Sequence, residues 1–286
     1  MQNQKQNLYR PMVFSRHPTH NILRRKNKTL PLLPFRSVVR LGSTTDIEDS
    51  VTNGGIRIEC NTIQAIKNSS NKLLMKQCFT KEGVKTADWI EGISGNGKDK
   101  DNNVVITGIN NSIPFPIIAK HIFGSRNNGN TLIKSLKELE NWLVGKTLSN
   151  YIFEKFYNYN REYRLHVTED GCFYTCRKML KSDTPEDKRW FRNDSNSIWV
   201  IEENPDFDKP VNWDNIVDHS VRALKAVGLD VGAVDLRIQS GKTEKGKIRE
   251  NPDFIIVEIN SAPSFGDITS QKYIEQIPKI LKRKHN

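Results

Sequence analysis

The sequence predicts a mixed α+β fold built from more than one lobe, and three observations carry that expectation. Short β-branched and aromatic runs alternate with helical stretches. Several of those runs face each other across polar turns of the kind that close antiparallel hairpins. A chain of 286 residues supports one large core or two to three smaller ones.

Taken in order, the start MQNQKQNLYRPMVFSRHPTH is polar and lacks the apolar centre of a secretory signal; with the rest of residues 1–35 it reads as a basic, mobile arm. Residues 36–70, with RSVVRLGSTT and IRIECNTIQAIKNSS, read as a short α/β lobe. From Asn71, NKLLMKQCFTKEGVKT sets Leu73, Leu74, Gln77 and Cys78 at helical spacing, and Gly83 can stop that helix. ISGNGKDKDNN, between Gly92 and Asn103, reads as an exposed loop. IPFPIIAKHIF then gives a strand, GSRNNGN a glycine-rich turn and TLIKSLKELENWL a helix. YIFEKFY, REYRLHV and GCFYTCRKML, separated by NYN and TEDG, read as strands of antiparallel hairpins. Residues 213–227 are helical in pattern, and GAVDLRI and DFIIVEIN supply two more strands on either side of the polar insert GKTEKGKIRENPD.

Composition narrows the function classes. No apolar run approaches the roughly 18 residues of a membrane span. Four cysteines (Cys60, Cys78, Cys172, Cys176) without CxxC pairs fit reduced cytoplasmic thiols; a spacing of four in a strand would put Cys172 and Cys176 on one sheet face. The net charge of +11 favours polyanionic partners. Its clusters at Arg24, Arg25, Lys26, Lys28 and at Lys279, Lys282, Arg283, Lys284 read as solvated faces or as phosphate-binding surfaces.

Three elements carry chemistry. Asp235 in GAVDLRI, and Glu258 with Asn260 in IIVEIN, lie where buried strands are otherwise apolar; in a hairpin all three share a face, as magnesium ligands would. The alternative is an exposed sheet face. Lys120 ends PIIAK just before glycines 124 and 129, whose loop with Arg126 suits a phosphate, although it lacks the ending of a Walker loop and a flexible surface hairpin is the alternative. In YIFEKFYNYNREYR, a strand edge at Glu154, Lys155 and Phe156 would offer backbone groups to adenine, and Glu162 would accept from ribose hydroxyls. Exposed charges on a hairpin are the alternative there. His166 reads as structural rather than as a base.

In this order, NK, PIIAK with its glycine-rich loop, EKF with REYR, GAVDL, and VEIN followed by SAP resemble the ATP-grasp superfamily from about Ile58 to near the C-terminus. REYRLHV, CRKML and WFRNDSNSIWV are most similar to its glutamate-ligase branch and to ATP-grasp proteins of tailed bacteriophages. The resemblance implies two α/β lobes clasping ATP: an ATP-grasp domain over 71–286, with a lid-side part at 71–152 and a metal-binding part at 153–286, behind a short pre-ATP-grasp-like region. It implies an amide-forming carboxylate–amine ligase using ATP and Mg2+, or Mn2+ in its place, on a carboxylate and an amine that include peptide or protein tails. By position, Lys72 and Lys120 would contact the ATP phosphates and the loop Gly124, Ser125 to Gly129 would cover them. Glu154, Lys155 and Phe156 would line adenine, and Glu162 would hold ribose. Arg177 or Lys178, with Arg192 and Asn193, would face the transferred group; Asp235, Glu258 and Asn260 would hold metal. The N-terminal region is shorter than usual in this family; Arg40, Ser43 and Thr44 would line the acceptor site, or Ser43 and Thr44 would only cap a turn. The expected location is the cytoplasm, of a host cell if the chain is phage-encoded. Two readings compete: a regulatory ATP-binding protein without ligation, and a nucleic-acid binder using Trp190, Phe191 and Trp199 near Arg189 and Arg192.

Overall fold

The computed structural model describes residues 7–15, 17–47, 58–92, 113–124, 129–193 and 195–286. Within them the strands form three sheets, each backed by its own apolar cluster.

The first sheet is parallel, in the order β1 (Met12–Ser15), β2 (Ser37–Leu41), β3 (Ile58–Cys60). The last helix of the chain, Asp267–His285, packs on it through Tyr273, Ile277, Ile280 and Leu281. The segment expected to be a mobile arm is part of this core: Leu23, Leu30 and Leu33 are buried, and Tyr9 bridges Leu33. These leucines are scattered among basic residues, so composition hid them. The clusters from Arg24 to Lys28 remain exposed, while Arg283 pairs with Glu169 and Asp170, and Lys284 with Asp230. Asn61 ties this sheet to the next. At φ +60 it donates through Nδ2 to Arg40 O and Val231 O, both at 3.0 Å, and accepts at Oδ1 from Asp230 N and Val231 N. Asparagine tolerates that backbone region because its short amide can bond locally.

The second sheet is antiparallel, with β8 (Arg161–Thr168), β9 (Gly171–Leu180), β10 (Ser197–Ile201), β11 (Val231–Ile238) and β12 (Phe254–Asn260) in the order β10-β9-β8-β11-β12. One face is covered by helices α1 (Ile63–Ser70) and α2 (Lys72–Lys81) and by Trp213–Val227, which follows in chain order as α4. In α4, Ile216, Ser220, Ala223, Leu224 and Val227 fall on one side of a 3.6-residue repeat, and Gly228 at φ +79 ends the helix. Asn71 caps α2 by accepting from Leu73 N and Leu74 N.

The third sheet runs β4-β7-β5-β6, from β4 (Trp89–Glu91), β5 (Ile117–His121), β6 (Asn130–Ile133) and β7 (Tyr151–Lys155). Its helix α3 is only Leu136–Leu143, shorter than the pattern suggested; Thr131 and Ile133 extend β6 instead. Ser135 caps α3 by accepting from Glu138 N, while Glu138 Oε2 accepts from Lys134 N, a reciprocal arrangement that fixes the start. The helix Asp267–His285 is α5.

Three further expectations change. β7 and β8 are not a hairpin: β7 pairs with β4 and β5, while β8 begins the next sheet. A division at residues 71 and 152 does not follow the sheets, because α2 packs on the five-stranded one and β7 runs to Lys155 in the four-stranded one. Cys172 and Cys176 lie on opposite faces, since a bulge opposite His166/Val167 adds one residue between them. The loop expected after Gly92 lies outside the described residues.

Candidate functional site

The face of the five-stranded sheet away from α4 looks into a cleft of about 790 Å³, closed on the other side by Ile118, Lys120 and Glu154 of the four-stranded sheet. Period-two alternation brings Glu162, Arg164 and His166 of β8, Tyr174, Cys176 and Lys178 of β9, and Asp235 and Arg237 of β11 into it. β12 breaks the alternation. A register shift at Asp235/Leu236 puts Ile255 and Val257 on the cleft side and then Glu258 and Asn260 as well, while Ile256 and Ile259 stay in the core. Without this bulge, Glu258 would point into apolar packing.

On this wall Arg164 clamps Asp235, with Nε 2.6 Å from Oδ1 and Nη2 2.7 Å from Oδ2. Asn260 Nδ2 donates to Asp235 Oδ2 and to Glu258 Oε1, both at 3.2 Å. Burial alone would raise the Asp235 carboxyl, but the Arg164 charge and hydrogen bonds outweigh it and hold it below the usual range. Two carboxylates and an amide oxygen on one face fit magnesium, which takes one or two carboxylates and completes its shell with water and phosphate. Among the described residues no cluster of three or more His, Cys, Asp or Glu offers a richer metal site.

Buried lysines gather at the opposite end, Lys72 and Lys120 lining the cleft and Lys76 buried just outside it. Lys120 Nζ is 2.7 Å from Glu154 Oε2, and Lys76 Nζ is 3.2 Å from Oε1. Lys72 donates to Gly124 O through its side chain and to Ile122 O through its backbone. Burial lowers the Lys72 and Lys76 ammonium groups, Lys76 to about 8; Glu154 is held low by Lys120 and Lys76 against the opposing effect of burial. The expected edge for adenine is corrected here: β7 is internal, so Lys155 N is spent on Asp88 O and Phe156 N on Pro116 O. Backbone free of sheet pairing begins beyond Phe156. Lys155 lies over the Tyr157 ring, 3.7 Å from Asp88. Gly129, at φ +78, could not carry a Cβ, which would fall 2.9 Å from His121 Cβ; Ser125 and Arg126 lie outside the described residues.

Between these groups Glu162 meets three cations: Arg237 at 3.0 Å, Lys178 at 3.4 Å and Arg192 at 3.7 Å. Arg192 also donates to Asn160 O, and burial lowers its guanidinium to about 10. Asn193 lines the cleft, and its Oδ1 organises the turn by accepting from Ser195 N and Asn196 N. Trp199 roofs this region, its ring centroid 4.9 Å from Arg164 and 4.7 Å from Lys178. Arg177 is on the other face, donating to Asp206 O and lying over Tyr163, so Lys178 alone of the pair reaches the cleft. Arg40 does not line it either: it is buried against Glu59 at 3.0 Å, and Ser43 accepts from Thr45 N as a turn cap. Gly42 does line it, packed so closely on Ala262 that a Cβ would fall 2.6 Å away.

No protein-family model and no curated protein sequence matches this chain. Solved structures do. D-alanine–D-alanine ligase from Bacillus anthracis superposes with a TM-score of 0.59 at 14% identity, over 88% of this chain and 81% of that one. The same enzyme complexed with ATP gives 0.56 at 15% identity, over 87% and 81%. The biotin carboxylase β,γ-ATP complex from Campylobacter jejuni gives 0.57 at 16% identity, over 86% of this chain and 54% of that longer one.

The chain has the ATP-grasp fold. At this identity the likeness is one of architecture, so its residues have to be weighed by their own geometry. Within this fold the cleft gathers Lys72, Lys120, Gly124, Glu154, Lys155, Phe156, Glu162, Lys178, Arg192, Asn193, Asp235, Glu258 and Asn260. Sequence reasoning assigned no role to Lys76, Arg164 or Arg237, and gave Trp199 one only in the nucleic-acid reading. The signals available for them were faint: a lysine one turn after Lys72 in an apolar helix, and basic residues two apart from Glu162 and Asp235 in strands.

Proposed function

We propose that this protein is an ATP-dependent carboxylate–amine ligase that works through an acyl-phosphate. The observation that carries the reading is the pairing, across one cleft, of a two-carboxylate and amide set at Asp235, Glu258 and Asn260 with buried cations at Lys72 and Lys120. In this reading the lysines hold the ATP phosphates and the carboxylate set holds magnesium. Magnesium, when bound, neutralises charge on the phosphates.

The substrate carboxylate oxygen attacks the γ-phosphorus and ADP leaves; the amine nitrogen then attacks the acyl carbon, phosphate leaves, and the amine proton passes to solvent. Neither step needs a protein nucleophile, and burial disfavours the ionised forms of two groups in the cleft, pushing the Cys176 thiol up to about 12 and the His166 imidazole down to about 3. Phosphoryl transfer asks mainly for positioning and charge neutralisation. Lys178, Arg192 and Arg237, gathered around Glu162, are the remaining cations placed to steady the transferred group. The REYR and WFRND motifs favour an amino acid or short acidic peptide as carboxylate, as in the glutamate-ligase branch. Arg192 is engaged with Glu162 in the cleft and Trp199 lies over Arg164 and Lys178 there, which supports the ligase reading over the nucleic-acid one.

Glu258→Gln is the direct test. Glu258 accepts from Asn260 and forms no ion pair among the described residues, so the variant should fold and bind ADP yet lose turnover by 100-fold or more, on the order of a lost charge-stabilising group. Wild-type turnover in the folded variant would sink the assignment.

A further inference from the structure

Lys76 is fully buried and does not line the cleft, yet it stands between the two walls that form it. It lies one turn beyond Lys72 on α2, so both lysines leave the helix on the same side. Its ammonium donates to Thr86 Oγ1, which donates in turn to Ile256 O of β12 at 2.7 Å. On its other side it meets Glu154 of β7. One cation therefore ties the five-stranded sheet to the four-stranded one. A buried lysine is costly unless it is paired, and an apolar residue of similar volume would serve packing as well. Its presence calls for an electrostatic reason.

Counting charge gives one. Glu154 carries a single negative charge and faces two ammonium groups, Lys76 on Oε1 and Lys120 on Oε2. With Lys120 alone the pair would be neutral and would present little field to an anion in the cleft. With Lys76 the triad keeps one net positive charge, and Lys120 lies at its cleft-facing end. We propose that Lys76 is a positioning residue for the nucleotide phosphates: it takes up one half of Glu154 and so leaves Lys120 with charge to offer an anion. This deepens the nucleotide reading above and rests on it.

The experiment is calorimetric titration of the full chain with ADP and Mg2+, comparing wild type with Lys76→Gln, Lys76→Met and Lys76→Arg, each with its thermal midpoint. Glutamine keeps a donor for Glu154 and Thr86 but removes the charge. One unit charge at this depth is worth roughly ten-fold or more in affinity for an anion, so both neutral variants should bind ADP about ten-fold more weakly and the arginine variant close to wild type. Lys76 is faced by Glu154 and Lys120 of the four-stranded sheet and by Glu258 of β12, and its ammonium is lowered to about 8 by burial first of all. The gap between wild type and Lys76→Gln should therefore close as pH rises past about 9, which a purely structural role would not produce. A folded neutral variant that binds like wild type, or an arginine variant as weak as the neutral ones, overturns the proposal while leaving the ligase reading standing. Wild type without affinity for ADP overturns both.

Discussion

Replacing Asp235 with asparagine tests how the acidic wall is held. In the wild type both Asp235 oxygens accept from Arg164, at 2.6 and 2.7 Å, and both side chains are nearly out of solvent, at 14% and 10% exposure. Removing one charge of such a pair leaves the other buried and uncompensated, which costs about 3–5 kcal/mol. Asparagine keeps the shape and one acceptor, so about 2–4 kcal/mol is the expected loss, or about 5–10 °C in thermal midpoint for a chain of this size. The assay is thermal unfolding in a chelator, which removes metal from the comparison. The sign of the pH effect follows from the depressed carboxyl. Its stabilisation is complete above the unfolded value near 3.9 and is lost as pH falls through the lower folded value, so acid should erode wild type more than Asp235→Asn. An Asp235→Asn midpoint within about 1 °C of wild type would refute the reasoning. The same coupling makes Asp235 a poorer probe of metal than Glu258, because any loss at Asp235 mixes metal binding with the release of Arg164.

Two further outcomes follow from buried polar groups. His20 Nε2–H donates to Pro263 O at 2.7 Å, so Nδ1 accepts from Ser15 Oγ, and burial lowers the imidazole to about 4. Its contribution is present above the unfolded value near 6.5 and is lost as pH falls toward 4; His20→Gln should flatten the midpoint-against-pH curve there by up to ~3 kcal/mol, and an unchanged slope would contradict the neutral assignment. Asn61→Ala removes four side-chain hydrogen bonds at a left-handed position and should cost about 3–5 kcal/mol in denaturant unfolding. A loss under about 1 kcal/mol would mean that water replaces the amide.

The acidic wall was legible because Asp235, Glu258 and Asn260 interrupt strands that are otherwise apolar, and alternation made a shared face a checkable statement. The bulge that completes that face was not legible, since nothing in IIVEIN marks where β12 gains a residue. α4 was readable to its ends from its apolar repeat and Gly228. The partners of Glu154 were hidden for a different reason: Lys76 and Lys120 lie 78 and 34 positions away in the chain, and only the pairing of β5 with β7 and the packing of α2 bring them together. The use of the Lys155 and Phe156 amides likewise depends on Asp88, just before β4, and on Pro116, which local pattern does not reveal. The packed N-terminal segment was lost among basic residues because its buried leucines contact a helix some 240 positions later.

The most direct measurement is ADP release by the purified chain with ATP and Mg2+, against amino acids and short acidic peptides added singly and in pairs. Release that requires both magnesium and a carboxylate, and that Glu258→Gln removes, is the predicted result. A chain that binds no ATP in the presence of magnesium would contradict the account at its centre.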